Sequence, residues 1–144
     1  RRCRKSSQCL TARMLRDTGS SVTVLDIDAA LVREAEGNGL DAILGDATQT
    51  PILEHAHIDG AKAIVTAVPD YNVTQSIVSI CKHLAPEVPV FARARYHVHS
   101  DELGIIGADH VVDEEETVGF RLGEMVAHYL FIETQESDEG HSNR

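Results

Sequence analysis

Apolar positions in this chain fall into short aliphatic runs that alternate with stretches of helical spacing. Residues 8–18 read as a helix in which Leu10, Met14 and Leu15 share one face, with Gly19 placed to end it. Residues 21–26 read as a strand rich in β-branched side chains. Asp28 is positioned to cap a helix over 29–37, closed near Gly37 and Gly39. A short strand is expected over 41–44, followed by Gly45-Asp46-Ala47. Pro51 suits the first turn of a short helix running to about His57. A strand over 62–68 breaks at Pro69-Asp70. Val73, Ile77, Ile80, Cys81 and Leu84 then mark one face of a longer helix. Pro86 and Pro89 bracket a turn before a strand over 89–94. Ser100 is expected to cap a helix ending near Gly104 or Gly107. A last short strand covers 109–112. Val118, Leu122, Met125, Val126 and Tyr129 line a final helix. From about Glu133 the chain is polar and acidic and reads as a disordered tail.

The order is one helix followed by five strand–helix units. Short aliphatic strands alternating with helices predict an α/β fold with a parallel sheet covered on both faces. Right-handed connections make it doubly wound. Such a sheet normally opens with a central strand, and no apolar run before residue 9 supplies one. The expected division is a basic segment over 1–8, a core over 9–112, a C-terminal helix over 113–132 and a tail over 133–144.

Composition narrows the class. The chain has 144 residues, 42% of them apolar, which suits a single packed domain. No run approaches the length of a membrane span. The first ten residues are basic and polar, so no signal peptide is expected, and the absence of an initiating Met reads as a fragment. Net charge is −10. Arg1, Arg2, Arg4, Lys5, Arg13 and Arg16 crowd the start, leaving a strongly acidic body. That argues against nucleic acid as a partner. Cys3, Cys9 and Cys81 show no CxxC spacing and are expected to be reduced thiols.

Asp26 is the most informative position. An acid at the end of this strand can accept hydrogen bonds from ribose hydroxyls in a dinucleotide site, and its charge disfavours a 2′-phosphate. The alternative is a helix N-cap or a solvated strand end. Counting back, a glycine-rich phosphate loop would fall on Cys3 through Gln8, where the residues are Cys-Arg-Lys-Ser-Ser-Gln. Side chains there obstruct close approach of the backbone to a pyrophosphate. Asp46 follows the next strand, either at an adenine edge or capping a turn. Thr66, Asp70 and Asn72, and then Arg93 and Arg95, crowd the same sheet edge. Arg93 either meets a phosphate or a partner's carboxylate, or closes an internal salt bridge. His97-Val98-His99 lacks the companion ligands of a metal site. No nucleophile or general-base constellation calls for catalysis, so no enzyme is expected.

Together these stretches resemble the RCK domain, the regulator of potassium conductance, also called TrkA-N or KTN. The resemblance rests on Val24-Leu25-Asp26-Ile27-Asp28, Gly45-Asp46-Ala47-Thr48, the segment from Ala63 to Asp70, Phe91-Ala92-Arg93-Ala94-Arg95, and the segment from Leu103 to Val112. It covers about residues 9–131 and is nearest in flavour to the cation:proton antiporter type related to glutathione-gated potassium efflux systems. It implies a Rossmann-like fold and a regulatory, nonenzymatic module. It also implies NAD(H), AMP or ATP at the C-terminal edge of the sheet, a homodimer, and a membrane potassium channel or antiporter as partner. The place implied is the cytoplasmic face of a membrane. The implied cofactor-binding set is Asp26, Asp28, Asp46, Ala47, Thr66, Asp70, Asn72 and Arg93, and the helix near 114–131 would pack on a second subunit. The sequence departs from the pattern in its missing first strand and loop glycines. It therefore reads as truncated or misread at its start, or as degenerate. A dimerisation module without nucleotide and a fragment of an NAD-dependent oxidoreductase remain alternatives.

Overall fold

The structure, a computed structural model, describes the backbone of residues 7–139 and the side chains of residues 8–131. Helix α1 (Ser7–Asp17) leads to β1 (Thr23–Asp26), α2 (Ala29–Gly37) and β2 (Asp41–Leu44). Then come α3 (Thr50–His55), a single 3-10 turn (Ile58–Gly60), β3 (Ile64–Thr66) and α4 (Tyr71–Leu84). β4 (Val90–Ala94), a second 3-10 turn (His97–His99), α5 (Ser100–Ile106), β5 (His110–Asp113) and α6 (Glu114–Glu139) complete the chain.

All strand pairs are parallel, as the alternation of strands and helices predicts. They form two sheets rather than one: β1 with β2, and β3, β4, β5 in that order. In a doubly wound sheet the opening strand lies between the first and second winding halves. With no such strand among the described residues, β1 and β3 each keep one unpaired edge.

Side-chain alternation assigns the helices to faces. Val24 and Ala42 of the small sheet meet Ala12 of α1 and Ala35 of α2. Leu25 points the other way and joins the main core, which is built from Leu53, Ile77, Val78, Cys81, Val90, Ala92 and Leu103. The two sheets thus share one interior. On β4, Val90, Ala92 and Ala94 face that core, and Phe91 and Arg93 alternate with them on the opposite face. That opposite face is not fully covered: Val65 and Val112 remain about half exposed, and Phe91 stacks on His110 at 4.5 Å. The expected cover on both faces is therefore met on one.

Local signals explain most boundaries. Asp28 accepts a hydrogen bond from the Ala30 amide, and Asp70 accepts one from the Val73 amide, so both are N-caps. Gly107 sits at φ 125° after α5, where a side chain would be strained and its Cβ would crowd Lys82. Asp109 accepts from the Val90 amide and pairs with Lys82 at 2.7 Å, tying α4, β4 and the start of β5 together.

Four expectations change. Ser100 opens α5 as its first residue; the cap position belongs to His99, whose side chain makes no cap hydrogen bond. The apolar stripe of α1 is not its buried face: Leu10 and Met14 stay exposed while Ala12 is buried, because small side chains let α1 sit close to the small sheet. α6 runs to Glu139, past residue 132, because a helix satisfies its backbone hydrogen bonds internally. Cys9 is disulfide-bonded, and Cys81 is a free thiol buried in the core. The expected basic segment 1–8 lies mostly outside the described residues, except Ser7 and Gln8, which belong to α1.

Candidate functional site

The expected site residues fall into two groups, one on each sheet, at the C-terminal ends of the strands. Open α/β sheets bind ligands at that edge because strand ends and helix N-termini converge there.

The first group stands on the small sheet. The Gly45 amide donates to the Asp26 carbonyl at 3.0 Å and extends the β1–β2 ladder by one step. This bond sets Asp26 and Asp46 on neighbouring strand ends. Gly45 is required there, since a Cβ would lie 2.8 Å from Ile52 Cγ2. Asp26 is half-buried, and one carboxylate oxygen accepts from the Asp28 amide at 2.8 Å. Asp28 is engaged as the α2 cap. Asp46 is exposed and accepts from both the amide and the hydroxyl of Thr48, at 2.9 and 2.7 Å. The Thr48 hydroxyl bond and then its amide bond hold the Asp46 carboxyl below its ordinary pKa. Ala47 is half-buried against the main core.

The second group stands on the larger sheet, around a cleft of about 630 Å³ lined by Asp70, Tyr71, Asn72, Arg93, Arg95 and His99, among others. Asp70 is spent on capping α4, and Asn72 is exposed beside it. Arg93 donates to the Ala67 carbonyl at 3.2 Å and pairs with Glu114 at 2.5 Å. Of the two expectations for Arg93, the internal salt bridge is therefore the observed arrangement, and it links β4 to the start of α6. Thr66 ends β3, 5% exposed, and its hydroxyl has no hydrogen-bond partner among the described residues. A buried orphan of this kind costs free energy unless a ligand or further chain satisfies it.

Sequence reasoning missed the aromatic wall of this cleft. Tyr71 and His99 stack at 4.0 Å, and the Arg95 guanidinium lies 5.5 Å from the Tyr96 ring. A hydrogen bond between Tyr71 and Glu102 raises the phenol pKa and lowers that of the carboxyl. No single-sequence pattern announces a stack between residues 28 positions apart. The His97-Val98-His99 pair diverges: His97 Nδ1 meets Asp113 at 2.5 Å, while His99 faces Glu102 and Tyr71. Asp113 also caps the start of α6 through the Glu116 amide. Another depression, about 410 Å³ between Thr23, Asp41, His55 and His57, lies at the opposite strand ends and holds none of the expected residues.

Asp26 and Asp46 suit the adenosine half of a nucleotide. A pyrophosphate cradle is a different matter: the expected loop positions Cys3 through Ser6 lie outside the described residues, and Ser7 and Gln8 begin α1.

Parallel strands alternating with helices, with carboxylates following the C-terminal ends of β1 and β2, define a Rossmann-like domain. The chain belongs to the TrkA-N domain family, whose model matches residues 9–114. Its fold is that of the TrkA-N domain of the inner membrane protein ybaL from Escherichia coli, with TM-score 0.80 and 24% identity over 84% of this chain and 90% of that one. It is also similar to the C-terminal domain of Kef from Shewanella denitrificans in its AMP-bound form, with TM-score 0.70 and 21% identity over 90% and 77% of the two chains. The GsuK channel bound to NAD matches with TM-score 0.68 and 18% identity over 76% of this chain, which spans 20% of the channel.

Proposed function

We propose that this chain is a nonenzymatic nucleotide-sensing domain of a potassium transport system, a channel or a potassium:proton antiporter, acting at the cytoplasmic face of a membrane. The adenosine of NAD(H), AMP or ATP sits on Asp26 and Asp46, with Asp28 and Ala47 shaping the strand ends beneath it. The observation that carries this reading is the backbone hydrogen bond from Gly45 to Asp26, which continues the β1–β2 pairing to the C-terminal ends from which Asp26 and Asp46 project. The fold shared with nucleotide-bound relatives supports it.

Regulation works by population shift: a ligand favours the arrangement it binds more tightly. Thr66, Asp70, Asn72 and Arg93 flank the path from the nucleotide to α6, whose exposed Val118, Leu122, Met125, Val126 and Tyr129 pack on a second subunit. The Arg93–Glu114 pair joins sheet and helix, so a ligand that draws on Arg93 alters how α6 is held.

Calorimetric titration of the chain with AMP and with NADH tests the reading. Asp26→Ala is expected to weaken binding by about 1–3 kcal/mol through orphaned ribose hydroxyls. Equal affinity in the variant removes the ribose role. No binding of any adenine nucleotide, with dimerisation intact, favours a ligand-free dimerisation module.

A further inference from the structure

The cleft on the larger sheet carries chemistry that the adenosine reading leaves unused. Its walls come from the start of α4, the end of β4 and the turn leading into α5, and the buried Ala94 and Leu103 close it on the core side. At about 630 Å³ it has the size of a small-molecule site. None of Asp26, Asp28, Asp46 and Ala47 lines it.

One feature of the cleft is a wall of rings. Tyr71 and His99 stack at 4.0 Å, within 16° of parallel. Glu102 is hydrogen-bonded to Tyr71 and lies 3.3 Å from His99 Nδ1, so a single carboxylate holds both rings in one orientation. Tyr96 stands edge-on to His99 at 6.3 Å. The other feature is a cation. Arg95 is exposed and pairs with no carboxylate among the described residues, and its guanidinium lies 5.5 Å from the Tyr96 ring. The remaining charges are already engaged. Arg93 pairs with Glu114, Asp70 takes the Val73 amide, and Glu102 serves the stack. The cleft therefore presents flat apolar surface and one uncompensated positive charge, with Asn72 exposed beside them as a neutral hydrogen-bonding group.

We infer that this cleft binds a singly charged carboxylate carrying one or two flat rings, at a site separate from the nucleotide edge. The rings lie against the Tyr71–His99 wall, and the carboxylate meets Arg95, whose planar fork matches it. A polyphosphate is disfavoured, because one free cation does not balance several negative charges beside Asp70 and Glu102. An aliphatic acid would leave the ring wall unused.

Fluorescence titration of the full chain with 2-naphthoate tests this, with 2-naphthamide as the neutral counterpart. The acid is expected to bind with a Kd of about 1 mM or tighter, the range open to a ligand of its size. The amide is expected to bind about tenfold more weakly, having no charge for Arg95. Arg95→Gln is expected to weaken the acid about tenfold and to leave the amide unchanged. His99→Ala is expected to weaken both, with a melting temperature on each variant to show that it is folded. Saturating AMP is expected to leave the affinity for the acid as it was. Equal binding of acid and amide, or an Arg95→Gln variant that binds like the parent, would overturn the inference in favour of nonspecific apolar adhesion. Displacement of the acid by AMP overturns it in favour of a nucleotide that reaches into the cleft, and no binding of the acid at about 10 mM overturns it outright. A chain that fails to bind AMP still reports on the acid, so the two readings fail separately.

Discussion

The two sheets are made by the same rule and held very differently. Around β3, β4 and β5, Val78, Cys81, Val90 and Leu103 are fully buried and α4 and α5 close one face. Around β1 and β2, the buried set is Ala12, Ala35 and Leu40, and none of its members is larger than leucine. A parallel strand is stable when neighbours on both sides satisfy its backbone and helices on both faces bury its side chains. β4 meets the first condition fully, and β1 meets it on one side. The sheet with the stronger nucleotide signature is thus the one with the weaker core, which places Asp26 and Asp46 at the low-stability end of the molecule.

The sharpest way to break this comparison is a matched pair of truncations. Leu103→Ala is expected to cost about 3–5 kcal/mol, since its site is fully enclosed, and Leu40→Ala about 2 kcal/mol, since the thin small-sheet core can relax. Urea unfolding of each variant decides it; equal costs would mean that the halves are equally packed. Gly45→Ala is expected to cost about 1–3 kcal/mol by forcing Ile52 aside. Because the strain falls at the Gly45–Asp26 bond, nucleotide affinity should fall with it, which a paired melt and AMP titration would detect.

The smallest effect belongs to the His97–Asp113 pair at the start of α6. The hydrogen bond that His97 donates to Asp113, and then that carboxylate's charge, raise the His97 pKa above 6.5, with Asp101 and Glu116 adding smaller pulls. The Glu116 amide, then His97, lowers that of Asp113 below 3.8. Glu115, bonded to the His97 amide, and the Arg93–Glu114 pair complete the charged surroundings. The protonated histidine contributes below about pH 6.5 and is lost as pH rises through its raised value in the folded chain. The Asp113 contribution is lost as pH falls below the ordinary carboxylate range. α6 is therefore held best in the mildly acidic window. Amide exchange in its first turn, corrected for intrinsic rates, should be faster at pH 8 than at pH 6, and His97→Gln should remove the difference. His97 is three-quarters exposed, so solvent screening keeps the effect slight.

Much of the fold was legible because strand and helix announce themselves locally. Val-Thr-Val-Leu before Asp26 and the Val73–Leu84 stripe each correspond to an observed element. Asp28 was readable as a helix start because capping acts within three residues, whereas Asp70, read only as ending a strand and as a site residue, proves to be a cap as well. What was not legible depended on contacts distant in sequence. The Tyr71–His99 stack and the Arg93–Glu114 pair join elements whose spacing carries no periodic signal. The α1 face was misread because a leucine stripe usually marks the core, whereas this helix buries alanine. That no apolar run precedes residue 9 was legible, but the division of the described strands into two sheets required the observed pairing.

Cys81 gives the comparison a clock. It lies wholly enclosed beside β4, and burial pushes its thiol up to about 11. At neutral pH it is therefore protonated as well as shielded, two independent barriers to alkylation. Iodoacetamide can reach it only after the larger half opens, so its labelling rate times the rarest opening event of the domain. Measured alongside amide exchange in β1 and β2, that rate would show whether the small sheet loosens long before the rest of the molecule comes apart.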